Sequence, residues 1–325
     1  MSLDLARRGG SSRATIEFRW SLVLCAVVGV LPFVISNDYW LGVLVVAMYF
    51  AMLAAAWNFL AGYTGQFSLA PAGFAMIGAY TTGLLAYHWN VSPPLGILAA
   101  VVVAGGIGLV LGRIVLRLKG PYLALTTLSF AEIMRLVIGN SIDFTRGDLG
   151  LSVPGILDHR VAYCYLFLAV LVAVQIGLFL LLRSRIGLFL CAIRDDETAA
   201  ASRGVRVVLW KTFAFSLSAA ISGLAGALYA HFALLVSPEL GLISQTGLII
   251  SMVVIGGMGT LVGPIIGALL VYVTAELLRS VGGWQLVVFA LLVIVFARFF
   301  REGLWGLLRH ALQPSAVAPA IVEGD

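Results

Sequence analysis

Two ionisable side chains interrupt an otherwise apolar run, TTLSFAEIMRLVIGN: Glu132 and Arg135, three positions apart and therefore on one helical face. Charge within a membrane-length segment is costly, so such a pair either neutralises itself or serves a passing proton or polar solute. Thr126, Thr127 and Ser129 bring hydroxyls to the same run. A second polar concentration, AIRDDETAAASRG, sets Arg194, Asp195, Asp196 and Glu197 ahead of Ala199, Ala200 and Gly204. Acids first, small residues next and a terminal glycine describe a short helix capped at Gly204, with a face low enough for another protein to cover. Elsewhere the chemistry is thin. The chain has no phosphate-binding glycine loop, no HExxH and no GxSxG elbow, and with 15 acidic residues in all it offers little to a hydrolase or prenyl transferase. His88, His159, His231 and His310 are scattered, and Cys25, Cys164 and Cys191 have neither metal nor disulfide spacing. No metal, cofactor or enzymatic activity is implied.

Backbone groups are a further source of polar chemistry. GYTGQFSLAPAGFAMIGAYTTG (62–83) places Gly65, Gln66, Ser68, Pro71, Gly73 and Gly78 between two apolar runs. Pro71 suits a helix start, and Gly62 and Gly65 suit a turn before it. Non-helical backbone at membrane depth is tolerated where protein buries it or where it lines a watery cavity. The glycines thus serve close packing, a solute path, or both. VVIGGMGTLVGPIIGALL (253–270) repeats the theme with Gly256, Gly257, Gly259 and Gly263 beside Pro264. Gly/Pro-interrupted segments in both halves of a chain are a pointer to a transport path.

The elements that carry these residues follow from composition. Of 325 residues, 61% are hydrophobic and only 11% charged. A soluble domain carries about a quarter charged residues, so this chain belongs in a lipid bilayer. Apolar runs fall at roughly 20–36, 40–61, 70–88, 94–116, 121–139, 161–182, 209–235, 243–261, 262–280 and 284–300, which gives an all-α, polytopic helical bundle of about ten spans. Basic clusters follow the fourth, sixth and tenth runs, whereas HWNVSPP and VSPELG contain no Lys or Arg. The positive-inside rule therefore puts both termini in the cytoplasm. The expected layout is a cytoplasmic N-terminal segment, 1–19, a transmembrane domain, 20–301, with a cytoplasmic loop at 183–211, and a cytoplasmic tail, 302–325. The net charge of +5 sits at span ends, not on an aromatic-interleaved stripe, so nucleic acid is not a partner.

Four segments in order, GYTGQFSLAPAGFAMIGAYTTGLLA, GPYLALTTLSFAEIMRLV, AIRDDETAAASRGVRVVLWKTFAFSLSAAISGLAGALYA and VIGGMGTLVGPIIGALL, resemble the permease subunits of branched-chain (hydrophobic) amino-acid ABC importers. The resemblance covers roughly residues 40–300. It implies a bacterial inner-membrane heterodimer with a second, homologous permease, two cytosolic ATPases and a periplasmic substrate-binding protein. The family's ATPase-docking motif, Glu-Ala-Ala, three residues, Gly, falls on Thr198, Ala199, Ala200 and Gly204, with Glu197 one place early. Similar permeases carry urea, short amides or aromatic acids, which are the alternative cargoes. A stand-alone secondary carrier or channel is the alternative mechanism.

Overall fold

A computed structural model of the chain describes residues 2–34, 37–115, 118, 120–279, 291, 294 and 303–312. Among these residues there are thirteen α-helices: α1 Ser2–Val34, α2 Asp38–Thr64, α3 Pro71–Trp89, α4 Pro93–Val115, α5 Pro121–Asn140, α6 Ile142–Thr145, α7 Arg160–Arg183, α8 Arg185–Asp195, α9 Glu197–Ser202, α10 Val207–Ala233, α11 Ile243–Gly256, α12 Gly263–Leu278 and α13 Gly303–Leu312. The all-α class holds, apart from a short antiparallel ladder of β1 Leu151–Ser152 and β2 Leu235–Val236, with Leu151 opposite Val236.

Six of the described helices are long and apolar enough to cross a membrane: α1 from Thr15, α2, α4, α5, α7 and α10. The glycine-rich α3 has 19 residues, while α11 and α12 have 14 and 16. The last two are shorter than the roughly 20 residues that a bilayer core takes. Apart from Leu291 and Ile294, the run expected at 284–300 lies outside the described residues, as does the tail beyond Leu312. At the other terminus, α1 runs unbroken from Ser2 into the first candidate span, Thr15–Val34. Extending a helix already nucleated in the apolar run costs far less than starting one.

The central helix is α2, in which almost every residue from Leu41 to Leu60 is buried. A helix without a polar face must be surrounded. Here α7, α10, α11 and α12 do so, admitted closely by Ala51, Ala54, Ala55 and Ala56. By contrast, α4, α5 and α7 expose Val102, Val110, Leu125, Ile133 and Leu180 on the outside of the bundle. A second seam joins α3, α4 and α10 through small residues. A Cβ placed on Gly78 would lie 2.1 Å from the Gly223 carbonyl oxygen, and one on Gly108 would lie 2.5 Å from Ala219 Cβ. In lipid, such contact replaces the hydrophobic drive that water supplies to soluble helices.

The 27 residues of α2 span about 40 Å and so define two ends of the bundle. At the Asp38 end, the buried His231 ties the β1–β2 corner to the helices: Nε2 pairs with Thr82 Oγ1 at 2.8 Å and Nδ1 with Pro154 O at 2.7 Å. At the other end lie the turn after α2 and the 183–211 segment. Gly65 closes α2 at φ +69°, donating its N–H to Leu60 O, and Pro71 is the first residue of α3.

Candidate functional site

The 183–211 segment folds as two helices rather than one. The break is Asp196, which is extended (φ −155°, ψ 109°) and whose Oδ1 accepts from Thr198 N at 2.8 Å and Ala199 N at 3.0 Å. An aspartate favours this capping geometry over continuing the helix, so it ends α8 and starts α9. Gly204 closes α9 at φ +83°, with Gly204 N bonded to Ala201 O and Val205 N to Ala200 O, the paired bonds of a glycine-terminated helix. Ala200 is buried with Ile193 and Val207. Thr198, Ala199, Ala201, Ser202 and Arg203 remain exposed beside Val208 and Leu209.

From this segment, two cations reach into the bundle. Arg194 Nη1 donates to Gly62 O at 3.0 Å, and its stem lies against Gly65, where an added Cβ would come within 3.3 Å of Arg194 Cγ. Lys211 Nζ pairs with Glu197 Oε2 at 2.7 Å, a contact 12% and 33% exposed at the two side chains. The Lys211 carbonyl also accepts from Gln66 Nε2 at 3.4 Å, and the same amide reaches Thr64 Oγ1 at 3.0 Å. Arg194 also pairs with Asp195 at 3.0 Å, but both are well exposed, so that pair adds little stability.

The two glycine segments meet here. Asn58 Oδ1 accepts from Gly259 N at 2.7 Å, and Asn58 Nδ2 donates to Thr260 O at 2.7 Å. One amide therefore satisfies both a donor and an acceptor of the loop between α11 and α12. Glu17 of α1 accepts from Leu261 N at 3.2 Å. Gly257 (φ +122°) and Gly259 (φ +76°) hold backbone conformations that side chains resist. Gly62 has no room for one either, since its Cβ would lie 2.6 Å from Gly259 N. The start of α13 closes the cluster, with Gly303 against Gly257. Two turns, the C-terminal end of α2 at 62–66 and the non-helical link at 257–261, thus touch each other through Asn58 and Gly62, and the polar segment through Arg194, at one end of the bundle.

The family described as branched-chain amino acid transport system / permease component matches residues 39–297. The chain belongs to that family. The high-affinity branched-chain amino acid transport system permease protein LivM of Escherichia coli K12 is 31% identical over 92% of this chain and 78% of its own length. Its counterpart in Salmonella typhimurium is 30% identical over the same shares. The permease protein LivH of Escherichia coli K12 is 23% identical over 76% of this chain and 88% of its own. No solved structure matches the chain. The permease is a multi-pass inner-membrane protein, and its relatives include both members of a permease pair.

Of the other residues singled out in the permease sequence, Gly256 and Gly263 adjoin the second turn and the rest lie along or before the helices. Gly73 packs on Ala131 of α5, and Gly78 on Gly223 of α10. Gly256 and Gly263 face each other in the α11–α12 hairpin, where a Cβ on Gly256 would lie 1.9 Å from Gly263 O. Ser68 O accepts from Trp57 Nε1 at 2.7 Å, Thr127 Oγ1 accepts from Leu69 N at 2.9 Å, and Thr126 bonds back to Tyr122 O. Glu132 and Arg135 form a two-pronged pair within α5, with Nε to Oε2 at 3.0 Å, and touch neither turn. Asn58 and Glu17 are not among the residues that the sequence singles out, and Lys211 enters there only as one of the basic residues after the sixth run. Asn58 carried a signal, as a lone amide in an apolar run, but its partners lie 201 and 202 positions away.

Proposed function

We propose that this chain is one of two permeases lining the path of an ABC importer for branched-chain amino acids, paired with a homologous permease. Two cytosolic ATPases power it, and a periplasmic binding protein delivers the cargo. About ten spans cross the membrane, with both termini cytoplasmic, so that 20–301 is the transmembrane unit and 302–325 the cytoplasmic tail. Arg194, Asp195, Asp196, Glu197, Ala199, Ala200 and Gly204 form the ATPase-coupling surface. Gly65, Gln66, Ser68, Pro71, Gly73, Gly78, Thr126, Thr127, Gly256, Gly257, Gly259 and Gly263 border the path or pack the helices that do. Glu132 and Arg135 neutralise each other within their span.

The observation that carries this reading is the bond from Arg194, in the coupling segment, to Gly62 O beside Gly259. When the ATPases close, α8 and α9 move with them, and Arg194 and Lys211 pull on the 62–66 turn and, through Asn58, on the 257–261 turn. The work comes from ATP on separate subunits, and the permease converts it into access.

The test is uptake of radiolabelled leucine by vesicles containing the permease pair, ATPases and binding protein. Uptake requires ATP and every partner. Gly204→Asp, which strains the left-handed cap of α9 and adds a charge to the docking surface, lowers uptake at least tenfold, whereas Glu132→Gln leaves it within about twofold. Loss of uptake in Glu132→Gln with normal uptake in Gly204→Asp would establish a stand-alone ion-coupled carrier instead.

A further inference from the structure

The end of the bundle opposite the coupling segment carries a feature that the coupling mechanism does not use. Between α2, α7, α10 and α12 lies a cavity of about 450 Å³. That is within the roughly 300–1,000 Å³ of small-molecule sites. Glu276, Arg279, Asp158 and Arg160 line it, two carboxylates against two guanidiniums, so its charged wall balances to zero. Apolar surface comes from Val43, Val46, Phe232 and Tyr272.

Two of these charged groups, Glu276 and Arg160, are tethered to their surroundings. The Glu276 side chain is only 10% exposed and accepts from Arg279 Nη1 at 3.0 Å and from the Tyr39 hydroxyl. Arg160 Nη1 donates to Asp38 O at 2.7 Å, which fixes a five-donor guanidinium at the wall. Gly42 leaves the space open: a Cβ there would meet Arg160 Nη1 at 3.5 Å. Both bonds to Glu276 fall on its Oε1, and the carboxylate lines the cavity. Opposite charges set on an apolar-walled cavity match one chemistry: a small molecule with an ammonium, a carboxylate and an apolar side chain.

We infer that this cavity binds a free α-amino acid as its zwitterion, with the ammonium at Glu276, the carboxylate at Arg160 and Arg279, and the side chain against Val43, Val46 and Phe232. The inference rests on the transport reading for the ligand's apolar side chain, and on the cavity's own charges for its zwitterionic backbone. The site is a receiving station at the delivery end, distinct from the turns that Arg194 moves. Its wall recognises the features common to Leu, Ile and Val and leaves choice among them to the delivery protein.

The deciding experiment is equilibrium binding of radiolabelled leucine to the permease pair with its ATPases in nanodiscs, without ATP or binding protein. Saturable binding is expected. Glu276→Gln weakens it at least tenfold, and Gly42→Leu, which fills the void without changing charge, abolishes it. Leucinamide and 4-methylpentanoate, each lacking one charge, compete at least tenfold less well than leucine. If Glu276→Gln fails to assemble, Val46→Cys decides, since leucine but not leucinamide slows its labelling by a water-soluble maleimide. Absence of saturable binding, or equal binding by wild type and Gly42→Leu, overturns the inference. Delivery-driven uptake by the same preparation separates the two readings. Leucine imported but not bound removes the cavity alone, leucine bound but not imported removes the transport reading alone, and neither removes both.

Discussion

Glycine does two different jobs in this permease. Along the α3–α4–α10 seam, Gly78, Gly108 and Gly223 are helical and lie against neighbouring backbone or alanine. At the coupling end, Gly65, Gly257 and Gly259 have positive φ and terminate or link helices. The seam needs the absence of a side chain, whereas the turns need a backbone that can go where side chains cannot. The first arrangement is rigid, because interiors at close-packed density do not yield gradually. The second can be rearranged, because its hydrogen bonds run through single side chains such as Asn58 and Arg194. A permease working as proposed, opening at one end while the bundle holds, needs both.

The strongest way to break the distinction is to fill the seam. In Gly78→Leu, a Cβ 2.1 Å from Gly223 O is followed by three further carbons, so α3 and α10 must separate along their length. Overpacking a tight core costs about 1–3 kcal/mol or more, and here backbone meets backbone. The expected outcome is loss of the monodisperse, detergent-solubilised complex in size-exclusion chromatography. A monodisperse complex with wild-type uptake would show that the seam is not a rigid element.

Much of this seam was legible in the sequence. Small residues in apolar runs announce close helix packing, and the Pro71 start and the Gly65 turn follow from what those residues do to any backbone. The α2 run likewise announced a membrane-length helix. The meeting of the two turns was not legible. Asn58 and Gly259 pair only because α12 lies antiparallel to α2, and a lone amide gives no sign of which distant carbonyl it will find. The break at Asp196 was a local rule left unused: Asp-Glu-Thr-Ala before a small-residue run reads equally as helix interior or as a new cap, and the capping bonds to Thr198 and Ala199 decide it. The β1–β2 ladder is two residues per strand, too short for any alternation to reveal.

A smaller effect is expected from loosening the turns. Asn58→Leu keeps the branching of α2's side chain but strands Gly259 N and Thr260 O in a largely buried setting, at a cost of about 1–3 kcal/mol for each unpaired group. The helices around α2 remain packed, so the complex should assemble while leucine uptake falls by an order of magnitude or more. ATP hydrolysis should persist, because the ATPases lose only their hold on the path. Hydrolysis and uptake falling in equal proportion would show that Asn58 holds the coupling segment itself and not just the turns.

The finest test reads the coupling segment directly, through a cysteine already on it. Cys191 sits on α8, half-buried, three residues before Arg194. Burial raises its thiol pKa above the ordinary value; Arg194 opposes that shift and Asp195 adds to it. Because only the thiolate reacts, a raised pKa means that less of it is present at neutral pH. Maleimide labelling at neutral pH should therefore be slower than for an exposed cysteine, and should climb over a higher pH range. Removing the opposing cation in Arg194→Gln moves the pKa further up, so the labelling profile shifts to still higher pH. If Arg194→Gln instead accelerates labelling, then releasing Gly62 O has freed α8 from the bundle. The guanidinium would in that case hold the coupling segment in place by its hydrogen bond more than it tunes its neighbour by charge.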